Sequence, residues 1–225
     1  MKGRLMMPLP SIADHWRVHA CRLVKDTSGL ALVEFAMVLP FLLILSTSGL
    51  ELANYVIANK RMGEIAAMVA DNASRMGDQN AINNKPIDES EINDVFIGAD
   101  LQGGYLKIAD NGRIILSSLQ RNADGGQTIT WQRCYGALNV DSAFGKEGKG
   151  ATGTSFTGMG PSGNEVTAAT GTAVMVVEVY YKYKRLMPSI QLPLNDIKDV
   201  TAFNVRDSRD LGQPQNTSNV ALSTC

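Results

Sequence analysis

The chain has 225 residues, of which 44% are hydrophobic, and its formal net charge at pH 7 is -1. This length holds one ordinary domain plus a membrane anchor, and the near-neutral charge argues against a nucleic-acid-binding protein. Both histidines, His15 and His19, lie near the N-terminus, and no Cys-x-x-Cys motif occurs. We therefore exclude a zinc site and a histidine-based catalytic centre from the rest of the chain, and we expect no cofactor.

Residues 1–29 are predicted to be a cytoplasmic leader. They carry five basic and two acidic side chains, a net charge of +3, which leaves -4 for the remainder of the chain. Basic residues beside the start of a membrane helix tend to stay in the cytoplasm. The long C-terminal part is therefore expected outside, in a bacterial periplasm.

Residues 30–50 form an apolar segment whose only charge is Glu34. At about 1.5 Å per residue such a helix crosses a hydrocarbon core of about 30 Å, so the segment is predicted to span a membrane. Pro40 removes one backbone donor and is predicted to kink the helix. A carboxylate at bilayer depth costs about 2.5 kcal/mol or more. Glu34 is thus either a helix-end carboxylate that reaches back to the interface or a group with a partner in an assembly.

Apolar residues continue at spacings near three and four as far as Met76, which predicts one helix over residues 30–76, apolar in its first half and amphipathic in its second. The apolar side of the second half of this helix is expected to pack on its own domain, against another subunit, or on both. Residues 77–90 contain glycine, proline and several asparagines and are predicted to be a linker.

Residues 91–225 are predicted to be a β-rich head. Residues 91–97 read as a short helix or strand. Residues 105–109 and 113–119 read as strands of a hairpin joined by Asp110-Asn111-Gly112, and residues 127–135 read as a third strand of an antiparallel meander. The expected fold class is α+β, a long N-terminal membrane helix followed by a mainly antiparallel sheet.

The second half of the head begins with a glycine-rich stretch, residues 144–171, which is predicted to be an unpacked loop. It contains no phosphate-loop motif. Residues 172–184 are the strongest strand in the chain and are predicted to be central, and residues 199–206 supply the last strand. The aromatic side chains of the strands are expected to be core residues rather than a ligand pocket.

Two of the three cysteines, Cys134 and Cys225, lie on the expected exported side, where disulfides persist, whereas Cys21 lies in the leader. We predict a Cys134–Cys225 disulfide that ties the C-terminal tail to the third strand. Two free thiols or a link between subunits are the alternatives.

Gly29 is followed by four apolar residues and then by Glu34. A glycine, a short apolar run and a glutamate between a basic leader and an apolar helix resemble the processing site of type IV pilins. The longer string Gly-Leu-Ala-Leu-Val-Glu-Phe-Ala-Met-Val-Leu-Pro, residues 29–40, is similar to the N-terminal signature of the TadE-like minor pilins or pseudopilins of tight-adherence (Flp) pilus systems. Residues 114–118, 129–134 and 174–183 resemble that family more loosely.

The resemblance implies a structural protein of the bacterial inner membrane rather than an enzyme. Its expected partners are other pilins or pseudopilins, the pilus assembly machinery and a prepilin peptidase that cuts between Gly29 and Leu30. Glu34 would then meet the free N-terminal amine of a neighbouring subunit. The protein would take part in assembly of a pilus for surface adhesion, either from the membrane or within the pilus itself.

Two other functions stay open at the level of sequence. One is an exported enzyme or ligand-binding domain with an incidental anchor. The other is a secreted product of a conventional signal peptide, with residues 35–45 as its apolar core and the small residues 46–48 at the cleavage site. The mature N-terminus discriminates among them, because Leu30 indicates a pilin, a start near Gly49 a secreted protein, and an intact leader a plain anchor.

Overall fold

The computed structural model describes residues 29–77, 86–188, 192–206 and 210–225. The predicted leader up to residue 28 and most of the predicted linker lie outside this part of the chain.

The chain divides into two compact units, Met1–Leu50 and Glu51–Cys225. The helices are α1 (Leu30–Arg75), α2 (Glu89–Gly103) and α3 (Ile108–Asn111), and the strands are β1 (Gly112–Arg121), β2 (Gln127–Tyr135), β3 (Ala173–Tyr181) and β4 (Ile197–Asn204). The predicted α+β class is confirmed.

Helix α1 begins at Leu30 and ends at Arg75, one residue before the predicted end, and it is continuous across Pro40. The kink at Pro40 stays a prediction. In the second unit the helix is amphipathic, as predicted, and its buried side follows the spacing of three and four. The buried apolar residues of this half are Ala58, Met62, Ile65, Ala66, Val69, Ala70 and Ala73.

Helix α2 resolves the ambiguity over residues 91–97 in favour of a helix. Asp88 caps it, because its carboxylate accepts a hydrogen bond from the Ser90 amide at 2.9 Å while the Glu91 carboxylate accepts one from the Asp88 amide at 3.1 Å. This reciprocal pair satisfies two backbone donors that a helix start otherwise leaves without partners. Ile92, Phe96 and Ala99 turn inward and are fully buried.

The sheet has the order β2-β1-β3-β4, and every neighbouring pair is antiparallel. β2 has the bounds that the sequence predicts, and β3 is an interior strand, as predicted. β1 lies between β2 and β3, so β3 holds the position beside β1 that the predicted meander gave to residues 105–109. Between Ser118 and Leu119 the register of β1 on β2 shifts, which leaves Thr130 as an extra residue on β2.

The predicted strand over residues 105–109 is wrong, and so is its hairpin turn. Gly104–Leu106 form a 3-10 turn, and Ile108–Asn111 form one turn of α-helix. Lys107 between them has a left-handed backbone, with φ 49° and ψ 70°, which cannot continue a strand. Leu106 and Ile108 are both buried in the core. Tertiary burial of these two side chains therefore overrides a local β preference.

The two faces of the sheet are covered differently. Met175, Val177 and Val179 of β3 belong to the large core that includes α1 and α2. Val174 and Val176 alternate with them and belong to a smaller core on the opposite face. This alternation is the period-two pattern of a strand buried on both sides. Of the strand aromatics predicted to be core residues, Trp131 and Tyr181 are buried, whereas Tyr180 and Tyr183 are only half-buried.

The glycine-rich stretch over residues 144–171 is a loop, but the prediction that it is unpacked is wrong. It covers the second face of the sheet and buries Met159 and Ala168. Its glycines permit a close approach that other residues would block, because a Cβ at Gly150, where φ is +74°, would lie 2.2 Å from the Gln127 carbonyl oxygen. The loop is therefore a covering layer of the sheet.

Candidate functional site

The apolar segment, residues 30–50, is the first part of the candidate site. Its 18-residue window of highest hydropathy averages 2.2, and none of that window is buried. By length and composition α1 is therefore a candidate membrane span. Ser46 and Thr47 donate their hydroxyl hydrogens to the carbonyl oxygens of Leu42 and Leu43, both at 2.7 Å. These bonds let two polar side chains lie in an apolar medium.

Glu34 lies in this exposed segment, and its side chain makes no hydrogen bond or ion pair with any residue that the structure describes. An ionised carboxylate in such a position needs water or an external cation to offset the cost of desolvation. The Glu34 carboxylate is thus the only charged group of residues 30–50, and it has no partner among the described residues.

Gly29 and Leu30 lie at the start of α1. The Gly29 carbonyl oxygen accepts the Val33 amide at 3.1 Å, and a Cβ added at Gly29 would meet nothing within 4 Å. Leu30 is 68% exposed. Among the described residues, none crowds the Gly29 α-carbon, and Glu34 lies little more than one helical turn beyond the predicted cleavage position.

Glu51, the residue that follows the apolar segment, is buried and forms a hydrogen-bond cluster that the sequence did not predict. Its carboxylate accepts bonds from the Tyr183 hydroxyl at 2.9 Å and from the amides of Leu186 and Met187 at 3.3 and 3.0 Å. Asn54 donates to the Tyr183 oxygen at 2.8 Å. The partners lie more than 130 residues away in sequence, so no local spacing could have indicated the cluster.

Tyr183 is positioned by packing as well as by hydrogen bonds. Its ring meets that of Tyr55 edge-on, with 5.0 Å between the centroids. Burial raises the pKa of the Tyr183 phenol, and the Glu51 carboxylate adds to this effect while the bond from Asn54 opposes it. The phenol therefore stays protonated and serves as a donor to Glu51.

The C-terminal tail is fastened to β2 and α2. Cys134 and Cys225 form a disulfide, with their Cα atoms 4.8 Å apart, and this is the pairing that the sequence predicted. The Cys134 amide also donates to the Ser223 carbonyl oxygen at 2.7 Å. Further back, the Thr217 hydroxyl donates to the Asp88 carboxylate and contributes most to holding the pKa of that carboxyl well below its usual range.

A buried ion pair joins α2 to β2. The Arg133 guanidinium donates from Nε to both carboxylate oxygens of Glu89, at 2.9 and 3.0 Å, and the Glu89 side chain is 1% exposed. Arg133 Nη1 also donates to the Gln132 carbonyl oxygen at 2.8 Å and lies 3.4 Å from the Glu147 carboxylate. These contacts satisfy a charge that would be costly to bury alone.

A cleft of about 250 Å³ opens beside the disulfide. Its charged side chains mostly bond to the chain itself: Arg113 donates to the Gly136 carbonyl oxygen at 2.9 Å, and Lys146 pairs with Asp141 at 3.3 Å. Among the described residues no group of three or more His, Cys, Asp or Glu side chains is arranged to hold a metal ion. The other residues that line the cleft are Ile115, Gln132, Arg133, Cys134, Val140, Ser142, Glu147, Thr224 and Cys225.

Near this cleft the carboxylate of Glu178 is completely buried on the loop side of the sheet. It accepts hydrogen bonds from the Ala143 amide at 2.9 Å, from the Tyr180 hydroxyl at 2.7 Å and from the Ser142 hydroxyl. Burial, and secondarily the bond to Glu178, raise the pKa of Tyr180. The cluster holds the segment that follows β2 against β3, which is a structural role.

The candidate site is therefore the apolar segment with Glu34 and the glycine before it. No family model matches the chain, and neither a curated protein nor a solved structure does.

Proposed function

We propose that the protein is a membrane-anchored, TadE-like minor pilin or pseudopilin that takes part in assembly of a tight-adherence pilus. Its α+β head would lie in the periplasm, and its apolar helix would lie in the inner membrane or pack with the helices of other subunits. The observation that carries the proposal is the apolar segment of α1, which has no buried residue, holds one carboxylate near its start and is preceded by Gly29.

The charge of Glu34 favours an assembly role over a plain anchor. A plain anchor gains nothing from a carboxylate among apolar residues, since that group only raises the cost of insertion. An amine from a neighbouring subunit would remove this cost. Cleavage after Gly29 would create such an amine at Leu30, little more than one helical turn before Glu34.

Glu34→Val is expected to impair pilus assembly while leaving membrane insertion intact or improved, because it removes both the proposed partner of the amine and an unfavourable charge. The measurement is pilus yield by electron microscopy, beside the amount of protein in the membrane fraction. Met37→Val, a change at another exposed position of the same segment, serves as the matched control and is expected to assemble normally. Normal piliation in Glu34→Val would refute the assembly role.

Gly29→Arg is expected to leave the full-length precursor in the membrane, because a large charged side chain blocks the close approach of a peptidase to the backbone. The intact mass of the purified protein measures this, and Gly49→Ala serves as the control at the other end of the segment. If Gly29→Arg has the same mature mass as the wild type, cleavage takes place elsewhere or not at all.

A further inference from the structure

The segment that follows β3, residues 182–188, has two different sides. Lys182, Lys184 and Leu186 are exposed, with Leu186 at 60%, while Tyr183 and Arg185 between them, and Met187 after them, are half-buried. The segment thus turns two lysines and a leucine to the outside. A combination of basic and apolar side chains on one surface is typical of contacts with the interface of a membrane.

Glu51 fixes the place of this segment. Its buried carboxylate holds Tyr183 through the hydroxyl and Leu186 and Met187 through their backbone amides. Glu51 also follows the last apolar residue of the candidate span directly in the chain. Groups that bond to the Glu51 carboxylate are therefore tied to the residue that directly follows the candidate span in the chain.

The neighbouring turns of α1 have the same character. Leu52, Val56 and Ile57 are each more than half exposed, although they belong to the second unit. Exposed apolar side chains thus continue past residue 50 on the helix that carries Glu51. Side chains of this kind fit the boundary between acyl chains and headgroups, which tolerates both polar and apolar groups.

We propose that residues 182–188 form a second, peripheral contact with the bilayer, in which Lys182 and Lys184 bind the phosphates of anionic phospholipids and Leu186 enters the interface. The inference rests on the membrane anchoring in the proposed function and adds a lipid-binding role for the head. A lipid surface is the occupant that the observations favour, because the segment is tied to the end of the candidate span and its lysines match phosphate in charge.

Each lysine near an anionic membrane surface favours the membrane-bound state of a segment by a factor of about five. Lys182→Gln/Lys184→Gln should therefore lower the ratio of membrane-bound to unbound segment 182–188 by about 30-fold. This part of the attraction is also expected to weaken as salt is added. Lys146→Gln/Lys149→Gln, two lysines of the glycine-rich loop, remove the same charge elsewhere and serve as the matched control.

The test uses the full chain with Cys21→Ser, reconstituted in phosphatidylcholine vesicles with or without phosphatidylglycerol. A spin label at Leu186→Cys reports immersion through its relative accessibility to oxygen and to a water-soluble nickel chelate. Ala123→Cys provides an aqueous control, because it lies in the turn between β1 and β2, at the end of the sheet opposite to Tyr181. Met37→Cys reports on the candidate span.

We expect the label at position 37 to be immersed in both kinds of vesicle, the label at 123 to be aqueous in both, and the label at 186 to be immersed when phosphatidylglycerol is present. The Lys182→Gln/Lys184→Gln variant should return position 186 to water. Immersion at 37 with water exposure at 186 overturns this inference and leaves the anchor standing. Water exposure at 37 overturns the anchor and this inference together, and immersion at 186 that ignores both lysines and anionic lipid overturns the phosphate contact.

Discussion

Cys134→Ala/Cys225→Ala is expected to lower the free energy of unfolding of the Glu51–Cys225 unit by as much as about 4–5 kcal/mol. The disulfide joins residues 91 positions apart, and the chain-entropy account assigns about this value to a closed loop of that size. Such a loss is a large share of the 5–15 kcal/mol that stabilises a typical domain. Urea unfolding of the full chain in detergent, monitored by tryptophan fluorescence, measures the change.

The same experiment on Cys21→Ala supplies the control for loss of a cysteine outside the bond. Reduction of the wild-type protein should reproduce the effect of the double variant. Hydrogen exchange should also accelerate in residues 216–225, because contacts that remain, such as that between the Cys134 amide and the Ser223 carbonyl oxygen, are hydrogen bonds of a largely exposed tail. A double variant as stable as the wild type, with an unchanged exchange rate in the tail, would show that the disulfide contributes little.

Arg133→Met is expected to destabilise the same unit by about 3–5 kcal/mol, because it leaves the buried Glu89 carboxylate without its cation. Replacing both members of the pair, in Glu89→Met/Arg133→Met, should recover much of that loss of stability, because no uncompensated charge is then buried. The unfolding experiment above measures both variants. Lys60→Met, which breaks the exposed pair with Glu64, should cost about 0.5 kcal/mol or less.

The comparison between these variants measures how much the Arg133–Glu89 pair contributes to stability. If Arg133→Met costs no more than Lys60→Met, the buried pair is not a principal contributor to stability. If the double variant is less stable than Arg133→Met alone, the carboxylate must be stabilised mainly by groups other than the guanidinium.

Helices and strands with a continuous sequence pattern were predictable from that pattern. Helix α1 ends within one residue of its predicted C-terminus, β2 has its predicted bounds, and β3 is an interior strand. In each of these cases a hydrophobic period of one kind runs without interruption, so local burial and backbone preference agree. The disulfide was predictable because the residues beyond the leader contain only two cysteines.

Residues 104–111 show where local reasoning fails. Their β-prone side chains and the Asn-Gly pair favour a hairpin, yet Leu106 and Ile108 are buried from helical turns on either side of a left-handed Lys107. The glycine-rich loop is a second case, because its composition indicates exposure while its few apolar residues find a sheet face that needs covering. In both cases a distant surface determines the conformation.

The sequence by itself determined the exposed apolar helix, its single carboxylate at Glu34 and the glycine before it, because these depend on residues adjacent in the chain. Only the tertiary structure decided that Glu51 holds Leu186 and Met187 and that Glu89 meets Arg133, since these partners are 44 to 136 residues apart. The physical reason is that a buried charge accepts any partner the fold brings within hydrogen-bond distance. Chain folding, rather than spacing in sequence, selects that partner.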